Sequence, residues 1–123
     1  MILGLRTCVV FVRTEQLAAA KAWYASVAGV APYFDEPYYV GFNVGGFELG
    51  LHPEGEPGPG GVVVYWGTPD VAAEVKRLVG LGAKVVGDVE DVGGGIKLAT
   101  VADPFGNHLG VIENPHFDPK AVK

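Results

Sequence analysis

With 123 residues the chain has room for one compact domain, since single domains commonly run to ~100–150 residues, and a multidomain enzyme is excluded. Hydrophobic residues make up 49% and charged residues 19%, which supplies a core and excludes a disordered chain. The formal net charge of −5 comes without any Lys/Arg cluster, so nucleic acid is excluded as a partner. The opening Met1–Arg6 lacks the basic flank and long apolar stretch of a signal peptide, and no apolar run approaches the ~20 residues of a membrane span. The expectation is a soluble, cytoplasmic protein with no membrane partner. Nineteen glycines and nine prolines, well above the ordinary ~7% and ~5%, point to many short strands and turns. The lone cysteine, Cys8, lies in an apolar run and reads as a buried structural thiol, which excludes a disulfide framework or thiolate cluster.

In chain order, Thr7–Arg13 is β-branched and aromatic, as a central strand requires. Thr14 then reads as an N-cap with Glu15 in the first turn, and Leu17, Ala20, Tyr24 and Val27 recur at helical spacing until Gly29. From Pro32 to His52 the residues Val40, Phe42, Val44, Phe47, Leu49 and Leu51 alternate around Gly45-Gly46, predicting a hairpin. Three prolines and three glycines in residues 53–60 permit neither helix nor strand and read as a flexible linker. Gly61–Trp66 repeats the strand. Thr68-Pro69-Asp70 reads as N-cap, first helical position and first-turn acid, and Val71, Val75 and Leu78 form the buried stripe of a second helix. Ala83–Val89 and Ile96–Val101 read as strands joined through Gly93-Gly94-Gly95, and Asp103–Asn107 turns into a last strand, His108–Ile112.

The order strand, helix, three strands therefore occurs twice. Thr14 and Thr68 are 54 residues apart, whereas Gly46–Leu51 and Gly106–Val111 superimpose with a shift of 60, so the second copy carries six extra residues. The duplication sets the expected organisation: a single domain over 1–123 with module one at 5–52, a linker at 53–60, module two at 61–113 and a tail at 114–123. The tail has no periodicity, its His116 reads as a surface residue, and a partner subunit is a candidate for its docking site.

Two βαβββ modules, with Trp23-Tyr24 in the first helix and Asp103-Pro104-Phe105-Gly106-Asn107-His108-Leu109-Gly110 before the end, resemble the vicinal-oxygen-chelate superfamily of glyoxalases, bleomycin-resistance proteins and extradiol dioxygenases. The resemblance covers nearly the whole chain. It implies an α+β fold, with a U-shaped sheet around a cavity, helices outside and in many members a divalent metal held by His, Gln or Glu. Four positions here match the family's metal ligands: Thr7, Gly61, Gly50 and Gly110. Glycine has no side-chain donor and a lone threonine is a poor ligand for Zn²⁺, Fe²⁺ or Ni²⁺, so no metal or other cofactor is expected there. A divalent metal held elsewhere remains the alternative, for which Glu48, His52 and His108 have suitable side chains.

Strand alternation gives an independent reading of the interior. If Leu49, Leu51, Leu109 and Val111 pack under the helices, then Glu48, Gly50, His52, His108, Gly110 and Ile112 point to the other side. Thr7, Val9 and Phe11, then Gly61, Val63 and Tyr65, join them, with Tyr39 and Asn43 from the hairpin. The predicted ligand-binding set is Thr7, Phe11, Tyr39, Asn43, His52, Tyr65 and Ile112, an apolar lining with a few polar groups. Glu48 and His108 hold matching places in the two modules, and a carboxylate beside an imidazole is a candidate acid–base pair. Tyr33, Phe34, Tyr38, Tyr39, Tyr65 and Trp66 supply faces for stacking on a planar ligand. Gly93-Gly94-Gly95 has no Lys-Ser/Thr or helix start after it and is a turn rather than a phosphate loop.

Two functions follow. One is a metal-free protein, similar to bleomycin-resistance members, that binds a small aromatic or cationic molecule, with a homodimer as the expected assembly. The other is a glyoxalase-type lyase or isomerase, either metal-independent through Glu48 and His108 or metal-dependent through other ligands. The linker permits pairing of modules within a chain or exchange between chains.

Overall fold

The computed structural model, which describes residues 1–123, has a strand, a helix and three strands, then a strand, a helix and four strands. The chain divides into two compact units, each with one helix against one face of a sheet. The first comprises Thr7–Val63 with Asp118–Lys123, and the second Val64–Phe117 with Met1–Arg6.

In the first unit β2 (Phe34–Glu36), β3 (Tyr39–Val44) and β4 (Phe47–His52) are antiparallel neighbours, and β4 lies parallel to β1 (Gly4–Phe11). The β3–β4 turn is Gly45-Gly46, with φ of +61° and +94°, the two successive left-handed residues that suit the twist of a tight hairpin. Period-two alternation puts Val40, Phe42 and Leu51 on one face, fully buried, with Val10 and Leu49 beside them. The helix α1 (Leu17–Ala28) covers this face through Leu17, Ala20, Tyr24 and Ala25. Gly29 ends it at φ +73°, its N–H bonded to the Ala25 carbonyl at 2.9 Å. The last residues of the chain return to this unit, where the Lys123 N–H donates to the Gly45 carbonyl at 3.0 Å. The approach is close enough that a Cβ on Gly46 would stand 2.5 Å from the Ala121 carbonyl oxygen.

In the second unit β5 (Val62–Gly67) runs parallel to β9 (His108–Glu113), and β8 (Ile96–Ala102) is antiparallel to β9. Two short strands, β6 (Lys84–Val85) and β7 (Glu90–Gly93), pair with β8. The helix α2 (Val71–Gly80) buries Val71 against Ala99 and Val111, with Val75, Leu78 and Leu109 around them. On the same helix lies Glu74, a carboxylate with 1% exposure. Arg77 grips it with Nε and Nη2, both at 2.8 Å, and the Met1 ammonium lies 2.5 Å from Oε1. The Arg77 hydrogen bonds hold the Glu74 carboxyl down at about 2, against the opposing pull of burial.

Several local expectations are corrected. Thr14 does not cap a helix: its hydroxyl donates to the Pro53 carbonyl at 3.0 Å, and a 3-10 turn over Thr14–Gln16 precedes α1. Gln16 Oε1 instead takes up the Arg13 N–H. Nor does Thr68 cap α2. Asp70 does, accepting from the Ala73 N–H at 3.1 Å, while Glu113 accepts from the Val71 N–H at 2.6 Å. Val27 faces solvent and Ala25 takes its place in the α1 stripe. Of the expected strand at Ala83–Val89 only Lys84–Val85 is paired, as β6, and a separate strand, β7, begins beyond it at Glu90. Cys8 is half-buried, which still pushes its thiol upward. The Pro53–Gly60 segment is neither helix nor strand, as read, but it is fastened: Pro53 is buried, Glu54 bridges Arg13, and Gly55 lies against the Phe11 ring. The tail packs on its own chain, with His116 Nε2 2.7 Å from the Gly94 carbonyl and Lys123 at the β3–β4 turn.

Two measurements test this packing. Phe42 is fully buried, so Phe42→Ala should lower the unfolding free energy by about 3–5 kcal/mol in denaturant titration. The folded pKa of Glu74 is below the ordinary ~4.3 of an unfolded glutamate, so its stabilisation is complete above about pH 5 and lost as pH falls towards 2. Glu74→Gln should therefore destabilise by about 1–2 kcal/mol at pH 7, the partners being largely solvated, and by much less at pH 3.

Candidate functional site

The face of the first sheet turned away from α1 carries the sequence-predicted residues of that module. Register places Thr7 opposite Glu48, Val9 opposite Gly50 and Phe11 opposite His52 on the β1 side. On the β3 side Asn43 faces Glu48 and Gly41 faces Gly50. Because residues paired across a ladder share a face, Thr7, Phe11, Tyr39, Asn43, Glu48 and His52 all lie on one side, as strand alternation requires.

Glu48, half-buried on β4, is the polar centre of this face. Its Oε2 accepts from the Tyr39 hydroxyl at 2.6 Å, and its Oε1 accepts from the Tyr33 hydroxyl. Tyr33 reaches it because the Tyr33 N–H bonds to the Gly41 carbonyl at 3.0 Å, folding the residues before β2 over β3. Gly41 leaves the opening in which the two side chains meet: a Cβ there would stand 3.2 Å from Glu48 Oε1 and 3.3 Å from Tyr33 Cε1. Burial, then the hydrogen bond to Glu48 and its charge, push the Tyr33 phenol well above its usual range, so it remains a donor.

Around this centre runs a line of aromatic rings. Tyr38 and Phe34 have centroids 6.0 Å apart, Phe34 and Tyr39 6.2 Å, Tyr39 and His52 6.5 Å, and His52 and Phe11 5.7 Å. All four contacts are tilted or edge-on, the geometry that ring quadrupoles favour. His52 is thus held between Phe11 and Tyr39, and its Nδ1 accepts from the Glu54 N–H at 3.3 Å. Asn43 is turned to a local task, its Oδ1 accepting from the Gly46 N–H in the hairpin turn. On the α1 side of the same unit, Leu17, Lys21, Asp35, Pro37 and Val40 line a separate depression of about 340 Å³.

In the second unit Tyr65 is half-buried and packs over Gly110, its register partner. Burial pushes its phenol up, partly offset by a hydrogen bond with Thr100. Ile112 is buried, and His108 is exposed at the head of β9. Beside it, Asp103 accepts from the N–H groups of Phe105 at 2.8 Å and Asn107 at 2.9 Å, fixing the turn into β9. Those bonds, with Asn107 the largest contributor, hold the Asp103 carboxyl below its usual range.

Residues 9–112 match the family model described as a glyoxalase-like domain. The chain belongs to that family. Solved structures bear out the fold expected from the superfamily resemblance. A variant of Streptomyces coelicolor methylmalonyl-CoA epimerase in complex with 2-nitronate-propionyl-CoA is 16% identical with a TM-score of 0.67, covering 96% of this chain and 99% of that one. A glyoxalase/bleomycin resistance protein/dioxygenase superfamily member from Vibrio splendidus 12B01 is 16% identical, with a TM-score of 0.63 over 89% of this chain and 99% of that one. The Mn(II)-bound glyoxalase from Novosphingobium aromaticivorans is 21% identical, with a TM-score of 0.67 over 91% of this chain and 39% of its own. No protein of curated function matches the sequence.

The residues at the four positions read from the sequence as matching the superfamily's metal ligands have no donor set that fits a divalent ion. Gly50, Gly61 and Gly110 offer no side-chain donor, and Thr7 offers one hydroxyl. The space beside two of them is also filled. A Cβ on Gly50 would overlap the Tyr39 hydroxyl and ring, and one on Gly110 would stand 2.5 Å from the Tyr65 ring. Within either unit no three His, Cys, Asp or Glu side chains come together as a metal cluster.

The overlap at Gly50 can be measured. Gly50→Ala should destabilise the protein by about 1–3 kcal/mol, the range for overpacking, because Tyr39 must leave its place. Tyr39→Ala in the same chain should recover part of that loss, giving a coupling energy in a double-mutant cycle that an independent effect of the two changes would not produce.

Proposed function

We propose that this glyoxalase-like domain binds a small, flat organic molecule without a metal, on the aromatic face of its first unit. The observation that carries the reading is the line of rings from Tyr38 through Phe34, Tyr39 and His52 to Phe11. Such a line offers a long apolar contact with few polar groups, the composition of most small-molecule sites. Metal independence is supported by the glycines at the matching ligand positions and by the tyrosines packed against Gly50 and Gly110.

The geometry supports binding over acid–base turnover. Both oxygens of Glu48 accept from phenols, so each is engaged with a side chain of the protein rather than open to a substrate's proton.

The purified protein should contain no stoichiometric metal by elemental analysis, and Zn²⁺, Ni²⁺, Mn²⁺ or Fe²⁺ should leave its unfolding temperature unchanged. Stoichiometric metal or a rise of several degrees would overturn the metal-free reading. In calorimetric titration a flat neutral probe, 2-naphthalenemethanol, should bind, and Phe34→Ala should weaken it about 3- to 10-fold, the contribution of one aromatic contact. Affinity that ignores Phe34→Ala and Phe11→Ala alike would place the ligand elsewhere.

A further inference from the structure

Glu48 lacks a counter-ion. The first unit carries four cationic side chains, Arg13, Lys21, Lys120 and Lys123, and none of them pairs with Glu48: Arg13 pairs with Glu56 at 3.2 Å and Lys21 with Asp35 at 3.0 Å. Neither of the remaining ion pairs of the protein, both on Glu74, involves Glu48. A half-buried carboxylate thus rests on two neutral phenols and has no cationic partner.

The two phenols are unequal. Tyr39 is half-buried, packed over Gly50 and wedged between Phe34 and His52. Tyr33 is 64% exposed and lies outside any strand, tied to the sheet by its backbone N–H. One donor to Glu48 is therefore built into the sheet, and the other approaches from solvent.

We propose that Glu48 anchors the protonated amine of a flat aromatic ligand, and that the Tyr33 hydroxyl is a placeholder which the ammonium displaces. The inference rests on the reading that the aromatic face takes a flat organic molecule. The ammonium N–H donates to Glu48 Oε1 in place of the Tyr33 phenol, while Tyr39 keeps Oε2 oriented. The neighbouring rings add attraction for the cation through their negative faces, and the ligand body lies along the line of aromatics. The net charge of −5 favours the approach of such a ligand. A Cβ at Gly41 would stand 3.2 Å from Glu48 Oε1 and 3.3 Å from the Tyr33 ring, so the glycine gives both side chains room to meet.

The test compares three probes of one shape by calorimetry on the full chain: 2-naphthylmethylammonium, 2-naphthalenemethanol and 2-naphthoate. The ammonium should bind about 10- to 100-fold more tightly than the alcohol, the range for a charge-assisted hydrogen bond, and the carboxylate more weakly than either. Added KCl should narrow the gap between ammonium and alcohol in the unaltered protein. Glu48→Gln should abolish the gap between ammonium and alcohol, with thermal unfolding as the check on folding. Tyr33→Phe should hold or raise the ammonium's affinity, since the competing donor is gone. Equal affinity of ammonium and alcohol for the unaltered protein, with no salt dependence, would overturn the cation anchor and leave the aromatic site standing. Failure of all three probes would overturn both. A loss of ammonium binding in Tyr33→Phe would overturn the placeholder role.

Discussion

The register between β3 and β4 governs the first unit. With Gly41 opposite Gly50 and Asn43 opposite Glu48, Val40, Phe42, Leu49 and Leu51 turn towards α1 while Glu48 and His52 turn the other way. A slip of one residue would drive a carboxylate under the helix and large apolar side chains into the opposite face. The Gly45-Gly46 turn fixes that register from one end and α1 fixes it from the side. Everything chemical on the aromatic face therefore depends on packing that occurs on the other one.

Glycine acts here by subtraction. Gly50 and Gly110 mark matching places in the two copies, and each is covered by a tyrosine ring, yet the rings come from different strands: Tyr39 from β3 and Tyr65 from β5. The two halves have reached similar filling by different routes. At both places the missing side chain leaves room for an aromatic ring from a neighbouring strand, so each glycine serves as the floor for a tyrosine.

Much of this was legible in the sequence because it follows from period. Alternation alone sorted Leu49, Leu51, Leu109 and Val111 from Glu48, His52 and Gly110, and the helical stripes at Leu17, Ala20 and Tyr24 and at Val71, Val75 and Leu78 have the same origin. Glu74 was also within reach, since it lies three residues from Val71 and four from Leu78 on one helical face, although an acid on an apolar stripe gives no hint of its partners. Caps are ambiguous in the sequence because Thr14, Thr68 and Asp70 all offer an oxygen, and the choice depends on where Pro53 and Glu113 come to lie. The meeting of Tyr33 with Glu48 was out of reach for the same reason. It requires the chain before β2 to fold back on Gly41, a non-local event with no mark in local periodicity.

The ends of the chain belong to opposite halves: Met1–Arg6 completes the second unit and Asp118–Lys123 completes the first. Neither half is therefore encoded as an uninterrupted stretch, even though the sequence reads as a tandem repeat. During synthesis residues 1–6 emerge long before their partners, the Met1–Glu74 pair alone spanning 73 positions, and the β3–β4 turn waits for Lys123. Such interleaving raises contact order, and it leaves the half that is translated first to be completed only after most of the other half has been made.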